Sequence, residues 1–176
     1  MEIILWKFYY FLTLSRIMFT IVDYNPIMID PFDDTYFMKK ALQEAEIAFD
    51  KGEVPVGAVI VAGNMIIARA HNLTERLNDV TAHAEMQAIT AAANFLGGKY
   101  LQDCTLYVTL EPCQMCAGAL YWSQISKIVY AARDDERGFV TMKTKLHPKT
   151  LVVGGLMEEE ASEILKRFFI QKRNLN

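Results

Sequence analysis

Two short motifs hold the side chains best suited to chemistry in this chain of 176 residues. They are TAHAE at positions 81–85 and EPCQMC at positions 111–116. Between them they supply an imidazole, a carboxylate and two thiols, from His83, Glu85, Cys113 and Cys116. One imidazole and two thiolates are typical zinc ligands, and three protein ligands leave a fourth tetrahedral position open. An open position distinguishes a catalytic zinc from a structural one, so the motifs predict a metal that activates water.

The local placement of these residues supports that chemistry. His83 is predicted in the first turn of a helix, and Cys113 and Cys116 are spaced so that both thiols face the same side of one turn. Helix N-termini stabilise negative charge and therefore lower the pKa of a thiol. Glu85 is not needed as a ligand, so we expect it to take a proton from water and return it to the substrate. A lone C-x-x-C with a distant histidine also fits a non-catalytic zinc module that binds RNA or a protein partner, but such a module has no use for Glu85.

The elements that must position the motifs alternate along the chain. Apolar spacing and capping residues predict helices from Asp33 or Asp34 to 50, and over 83–96, 112–123 and 158–172. Strands are predicted over 54–61, 65–70, 104–110, 127–132 and 151–153. Alternating strands and helices predict a three-layer α/β/α domain. Gly57 lies inside a strand pattern, where a missing side chain lets either a ligand or another backbone approach.

Composition and charge narrow the class of protein. With 52% apolar and 22% charged residues, the chain is neither disordered nor fibrous. The net charge is −3, but residues 137–176 carry eight Lys or Arg against four acids, and this basic end suits either phosphates or a solvated helix face. Three cysteines do not make a disulfide framework and suit a reducing compartment. Cys104 is expected to be a small core residue.

The first 27 residues differ from the rest. They are apolar, yet the longest uncharged run, over 8–15, is far shorter than the roughly 20 residues that a membrane span needs. They also lack the features of a secretory signal, so we expect a cytoplasmic protein. We predict that residues 1–27 are a non-native or poorly ordered apolar extension and that residues 28–176 form a single domain, which holds the predicted zinc site. An amphipathic anchor or a partner-binding segment is the alternative for the extension.

Several motifs carry a resemblance to a known family. They are PVGAV at 55–59, TAHAE at 81–85, TLYVTLEPC at 105–113, MCAGA at 115–119, ARD at 132–134, FF at 168–169 and KR at 172–173. On these motifs the chain resembles the bacterial tRNA-specific adenosine deaminases, within the cytidine deaminase-like superfamily. The H-x-E and P-C-x-x-C pair is the signature of the zinc deaminases. The resemblance extends from about residue 34 to 173 and does not include residues 1–27.

The resemblance implies a mixed sheet of five strands between helices, a homodimer whose active site is shared across the dimer, and one Zn²⁺ per subunit. It implies hydrolysis of adenosine to inosine at the wobble position in the anticodon loop of an arginine tRNA. Zinc-activated water would attack C6 of adenine, while Glu85 protonates N1 and then the departing ammonia. Asn72 would hold the base edge and Asp134 the sugar. For these two residues, a loop-capping amide and a turn cap are the alternative roles.

The same resemblance gives the basic C-terminal helix a role in binding tRNA phosphates, through Lys166, Arg167, Lys172 and Arg173. Two departures keep the substrate open. After ARD the family often continues with a small-residue stretch, whereas this chain has ERGFV at 136–140. The pair Tyr121 and Trp122, which follows the second cysteine, resembles the residues at this place in guanine deaminase. A deaminase of a free base or nucleoside, guanine or cytosine, is therefore the alternative enzyme.

Overall fold

The computed structural model describes residues 31–174, so the predicted extension over 1–27 lies outside the described residues. Its helices are α1 (Asp34–Asp50), α2 (Thr74–Leu77), α3 (Ala84–Leu96), α4 (Gln114–Ser123) and α5 (Glu158–Asn174). Its strands are β1 (Gly57–Ala62), β2 (Met65–His71), β3 (Cys104–Leu110), β4 (Lys127–Ala132) and β5 (Leu151–Gly154). Among the described residues no helix is both long enough and apolar enough to cross a bilayer.

The five strands form one sheet in the order β2-β1-β3-β4-β5. β1 pairs antiparallel with both β2 and β3, whereas β3, β4 and β5 run parallel. The parallel strands need crossover connections. α4 provides the crossover from β3 to β4, whereas the irregular segment over 133–150 connects β4 to β5. The predicted five-stranded mixed sheet is confirmed.

Alternate residues of each strand point to opposite faces of the sheet, and each face carries its own apolar core. On one face Ile60, Leu106 and Ile128 are buried with residues of α3 and α4. On the other face Val59, Tyr107 and Val129 are buried with residues of α1 and α5. Helices thus cover both faces, which confirms the predicted three-layer α/β/α arrangement. Cys104 is 2% exposed in the first core, as expected for a small core residue.

The element boundaries follow local chemistry closely, with a few differences. Asp33 caps α1 by accepting a hydrogen bond of 2.7 Å from the Tyr36 N–H. The predicted strand over 54–61 begins only at Gly57, because Pro55 has no N–H and the Val56 N–H bonds to the Val54 carbonyl. The loop predicted over 71–81 contains the short helix α2, and its first residue, His71, ends β2.

Close packing of α1 explains the glycine inside β1. A Cβ at Gly57 would lie 2.1 Å from the Ala41 carbonyl oxygen and 2.4 Å from the Ala45 nitrogen. Both atoms are backbone and have no room to shift. The space is therefore filled by another backbone and not by a ligand, which answers the question that the sequence left open.

A buried carboxylate holds the segment that leads from β2 toward α3. Glu53 is fully buried and accepts hydrogen bonds from the Thr74 hydroxyl and from the N–H groups of Glu75 and Arg76, at 2.9–3.1 Å. Burial raises the pKa of the Glu53 carboxyl, but these hydrogen bonds outweigh it and leave the pKa below its usual value. Glu53 is thereby the N-terminal anchor of α2.

Glu53→Gln tests this anchor through its pH dependence. We expect a loss of about 1–3 kcal/mol in the free energy of unfolding at pH 7, because an amide binds the three donors less strongly than a carboxylate. The folded-state pKa is depressed, so the carboxylate stabilises the fold above the unfolded pKa of about 4.3, and this contribution is lost as pH falls through the folded-state pKa. Urea unfolding at several pH values should show the gap between variant and wild type narrowing below about pH 4.

Glu75→Gln is the matched control, since Glu75 lies in the same segment but is exposed. Its effect should stay within about 0.5 kcal/mol at every pH. A Glu53→Gln gap that is the same at pH 3 and pH 7 would contradict the assigned anchor.

Candidate active site

The first side of the site is the amino end of α3. His83 has an extended backbone and immediately precedes the helix, so it lies one residue earlier than the predicted first turn. Asn72 accepts a hydrogen bond of 2.8 Å from the Ala84 N–H through Oδ1 and thereby caps the helix. Ala84, Ala88 and Ala92 form a fully buried stripe on the helix, whose small side chains allow it to lie close to the sheet. His83 is thus held against the core.

The second side is the connection from β3 to α4. Cys113 also precedes its helix with an extended backbone, and Cys116 lies in the first turn. Just before it, Glu111 is 3% exposed and accepts hydrogen bonds from the Val140 N–H at 2.9 Å and the Asp134 N–H at 3.3 Å. The loop after β4 is therefore fastened beside the cysteines by a carboxylate from the same segment.

Three ligand atoms converge between the two helices. The Nδ1 atom of His83 lies 3.7 Å from the Cys113 sulfur and 3.5 Å from the Cys116 sulfur. All three atoms lie within 4.8 Å of one another. A tetrahedral zinc with the usual bond lengths separates a sulfur from a nitrogen ligand by about 3.6 Å. The donor atoms and their spacing therefore fit a zinc ion held by His83, Cys113 and Cys116.

The protein groups keep negative charge on sulfur at this point. A hydrogen bond from Cys116 lowers the pKa of the Cys113 thiol to about 4, against the opposing effect of burial, and His83 lowers it further. That same hydrogen bond, with burial, raises the pKa of Cys116. The hydrogen bond to Cys113 raises the pKa of His83, although burial opposes it. A thiolate beside a buried thiol and an imidazole is a donor set that a borderline-soft cation such as zinc completes.

Glu85 lies beside the ligands without belonging to the ligand set. It is 3% exposed, in the first turn of α3, and interacts with the Cys116 thiol. Burial raises the pKa of its carboxyl above the usual value. A carboxyl group with a raised pKa, held next to the metal ligands, is suited to accept and return protons.

A cavity of about 160 Å³ opens onto the ligands. Sites for drug-sized ligands are typically about 300–1,000 Å³, so this smaller cavity is of a size to take a single base. It brings together five of the predicted residues, Asn72, His83, Glu85, Cys113 and Asp134. A larger depression of about 850 Å³ elsewhere is lined mainly by the glutamates at the start of α5 and has none of this chemistry.

The two predicted substrate contacts both have structural roles as well. Asn72 is 6% exposed and uses Oδ1 to cap α3, while its Nδ2 group makes no hydrogen bond to any residue of 31–174. Asp134 accepts hydrogen bonds from the N–H groups of Glu136 and Arg137 through Oδ1, at 3.1 and 2.9 Å, and so caps a turn. Each side chain also lines the cavity, which leaves an amide donor and a carboxylate oxygen available there.

Thr74, Glu111 and Arg137 line the same cavity, although sequence reasoning gave them no role. Glu111 is the first residue of the EPCQMC motif, and this position directly before Pro112 and Cys113 was the signal that could have indicated its place at the site. Arg137 stood in the segment that departs from the family pattern. Only the fold places that segment beside the ligands, through a bridge between Gly138 and Cys113.

The four predicted phosphate contacts on α5 do not line the cavity. Arg167 pairs with Glu46 at 3.4 Å and lies over the Phe49 ring. Lys166 borders the depression formed by the acidic first turn of α5, whereas the Lys172 ammonium lies over the Phe168 ring. Arg173 has no ion pair within the described part of the chain. These residues stay predicted contacts, and Lys172 and Arg173 are the better placed for an external anion.

Cys113→Ala tests the ligand set. We expect the purified variant to lose bound zinc, because two remaining protein ligands do not hold the ion tightly. Inductively coupled plasma mass spectrometry measures the metal content per chain. Cys104→Ala is the control, since it removes a buried thiol outside the ligand set and should keep one zinc per chain. One zinc per chain in Cys113→Ala would mean that the ligands are misassigned.

Comparison with known proteins agrees with this geometry. A family model described as MafB19-like deaminase matches residues 32–173. A solved structure from studies of A-to-I editing by tRNA:A34 deaminases at the wobble position of transfer RNA is 44% identical, with a TM-score of 0.71, and the match covers 74% of this chain and 99% of that one. The structure of guanine deaminase from Bacillus subtilis is 43% identical, with a TM-score of 0.55, over 57% of this chain and 65% of that one.

These matches confirm the cytidine deaminase-like fold, and deaminases of this kind depend on zinc, which confirms the predicted cofactor. The tRNA-specific adenosine deaminase of Aquifex aeolicus is 51% identical over 144 residues, which cover 79% of this chain and 95% of that protein. The chain therefore belongs to the family of the tRNA-specific adenosine deaminases.

Proposed function

We propose that this protein converts adenosine to inosine by hydrolysis at the wobble position in the anticodon loop of a tRNA, with an arginine tRNA as the expected substrate. The observation that carries the proposal is the buried Glu85 carboxyl beside three converging zinc ligands, two of which, His83 and Cys113, line a base-sized cavity. Family membership supports adenosine in tRNA as the substrate. Since a tRNA is the proposed substrate, we also propose that the protein is cytoplasmic.

The chemistry follows from the positions of the protein groups. Zinc, when bound by His83, Cys113 and Cys116, supplies a Lewis acid that makes water a nucleophile near neutral pH. Glu85 takes the proton of the attacking water and delivers a proton to N1 of adenine. It then carries the remaining proton, from the hydroxyl now bonded to C6, to the exocyclic amine, so that the C6–N bond breaks, ammonia leaves and the oxygen stays on C6 as a carbonyl. One water is consumed, and the enzyme groups return to their starting protonation.

The cavity walls fit the proposed substrate contacts. The free Nδ2 group of Asn72 is a donor for an acceptor on the base edge, and the remaining Asp134 oxygen is an acceptor for a sugar hydroxyl. An anticodon base is reached most easily in a loop, where bases are splayed out of the stack. Lys166, Arg167, Lys172 and Arg173 would add phosphate contacts away from the cavity.

We further propose a homodimer with one zinc per subunit. Large exposed apolar side chains lie on α4, on the loop after β4 and on β5, and the largest exposed fractions among them are 77% for Trp122 and 68% for Leu151. We propose that these side chains form one patch, because contiguous exposed apolar patches mark protein interfaces, whereas isolated exposed apolar residues do not. Tyr121 and Trp122 do not line the cavity, so this pair argues for an interface more than for a guanine site.

Deamination of guanine is the second candidate, because a Bacillus subtilis guanine deaminase structure matches part of the chain at 43% identity. The discriminating assay offers the purified protein an arginine-tRNA anticodon stem-loop and, separately, guanine and cytosine. We expect inosine in the stem-loop by mass spectrometry of the digested RNA. Ammonia release from guanine with an unedited stem-loop would overturn the proposal.

Glu85→Gln is the matched variant for that assay. It keeps the shape of the side chain and the zinc ligands but removes the group that carries the protons. We expect bound zinc and the folded state to be retained, while the editing rate falls by at least about 10³-fold. Normal editing by this variant would contradict the mechanism and would reopen the reading of the site as a non-catalytic zinc module.

Trp122→Glu tests the proposed interface. An exposed aromatic residue at a protein interface often contributes at least about 2 kcal/mol to association, so we expect the variant to sediment as a monomer where the wild type is a dimer. Sedimentation velocity measures this directly. Met65→Glu, on the opposite edge strand β2, removes another exposed apolar side chain and should leave the dimer intact. A monomeric wild type, or an unchanged dimer in Trp122→Glu, would contradict the assigned interface.

A further inference from the structure

The cavity has one permanent cation at its wall. Of the cavity-lining residues in the described part of the chain, Arg137 alone carries a lasting positive charge, beside the carboxyl groups of Glu85, Glu111 and Asp134. The Arg137 side chain is exposed, and it makes no ion pair with any residue of 31–174. A guanidinium group without an internal partner at the wall of a substrate cavity is available for an external anion.

None of the nearby carboxylates forms an ion pair with this guanidinium within the described residues. Glu111 receives N–H groups of Asp134 and Val140 at its two oxygens. Asp134 uses Oδ1 for the N–H groups of its own turn, and Glu85 is buried among the metal ligands. The cation of Arg137 is therefore not part of the internal hydrogen bonding of the site.

The backbone at Arg137 is fastened to the metal-ligand segment. Its N–H donates to Asp134 Oδ1 at 2.9 Å, and the next residue, Gly138, forms a bridge with Cys113. The Phe139 N–H then bonds to the Pro112 carbonyl at 2.9 Å. A Cβ at Gly138 would lie 2.5 Å from both the Glu111 carboxyl and the Asp134 carbonyl, so the loop passes as closely as a glycine permits. The backbone of Arg137 is thus held beside the segment that carries Cys113.

We propose that Arg137 binds a phosphate group of the polynucleotide strand next to the base in the cavity, and that it makes the site selective for a base within a strand over a free base. This inference rests on the proposed function, since it assumes an RNA substrate. A guanidinium group binds two phosphate oxygens at once and forms the stronger, charge-assisted type of hydrogen bond. A free base has no phosphate and gains nothing from Arg137. The contact therefore adds binding energy for the strand alone.

A double-mutant cycle between the protein and the RNA tests the contact. The probe is the arginine-tRNA anticodon stem-loop, intact or with one neutral methylphosphonate linkage on either side of the wobble adenosine. The proteins are zinc-loaded and carry Glu85→Gln to prevent turnover, alone or combined with Arg137→Ala. Dissociation constants are measured by fluorescence anisotropy between 50 and 300 mM salt.

We expect Arg137→Ala to weaken binding of the intact stem-loop about tenfold and to reduce the slope of log affinity against log salt by about 0.7. One of the two neutral linkages should weaken binding by the reference protein to a similar degree and should cause no further loss in Arg137→Ala. Lys99→Ala is the control, because Lys99 lies beyond the far end of α3, about 20 Å from His83, and removes the same charge. It should change neither the affinity nor the slope.

Losses from Arg137→Ala and from each neutral linkage that simply add would overturn the inference, as would an equal loss in Lys99→Ala. The two proposals fail separately. Coupling between Arg137 and a linkage, with no editing by the wild-type enzyme, would support the phosphate contact and overturn the adenosine deaminase activity. Editing without coupling would do the reverse, and a stem-loop that is neither bound nor edited would overturn both.

Discussion

Two helix amino ends are directed at the same small volume, and the rest of the structure depends on making that arrangement stable. The unpaired N–H groups at the start of α3 and α4 give each end a partial positive charge, so the two ends repel until negative charge lies between them. The thiolate of Cys113 provides that charge, with the Cys116 sulfur beside it. His83 joins them from the other helix, so a metal ion bound by the three side chains ties the two helices together.

The helices reach this meeting point because both pack on the same face of the sheet. The buried alanines of α3 and the buried residues Ala117 and Leu120 of α4 share one apolar core. Glycine and alanine have different roles here. Gly57 leaves room for the backbone of α1 on the other face of the sheet, whereas the alanines bring α3 close to β1 and β2. The catalytic geometry is therefore a consequence of helix-to-sheet distances set by small side chains.

Buried polar groups then fix the irregular segments around the cavity. Glu53 holds the segment before α3, Asn72 caps that helix, and Glu111 fastens the loop after β4. A buried polar group that loses its hydrogen-bond partner typically costs about 1–3 kcal/mol of folding free energy. Each anchor and its N–H donors therefore depend on one another. These hydrogen bonds hold the backbone of Thr74, Asp134 and Arg137 in place at the cavity.

The parts of this structure that depend on local signals are predictable from the sequence. Alternation along β3, the aspartate cap of α1 and the spacing of Cys113 and Cys116 are all contained in short stretches, and they predicted the layers and the ligand set. The start of β1 was predicted three residues early because apolar character at 54–56 looks the same in a strand and in an extended segment. The place of Arg137 was not predictable, since it depends on a bridge from Gly138 to a residue 25 positions earlier in the chain.

The difference between local sequence signals and contacts that form only in the fold also applies to substrate selection. In the proposed mechanism the metal ligands and Glu85 act on a ring carbon and its amine, a chemistry that guanine, cytosine and adenosine deamination share. A guanine deaminase structure and an adenosine-editing structure match this chain at nearly the same identity, 43% and 44%, so overall identity in this range does not choose between the bases. The choice must lie with groups that contact what differs between the substrates. In the proposed function a donor such as Asn72 reads the base edge, and the proposed phosphate contact of Arg137 reads the presence of a strand, because a free base has no phosphate to bind.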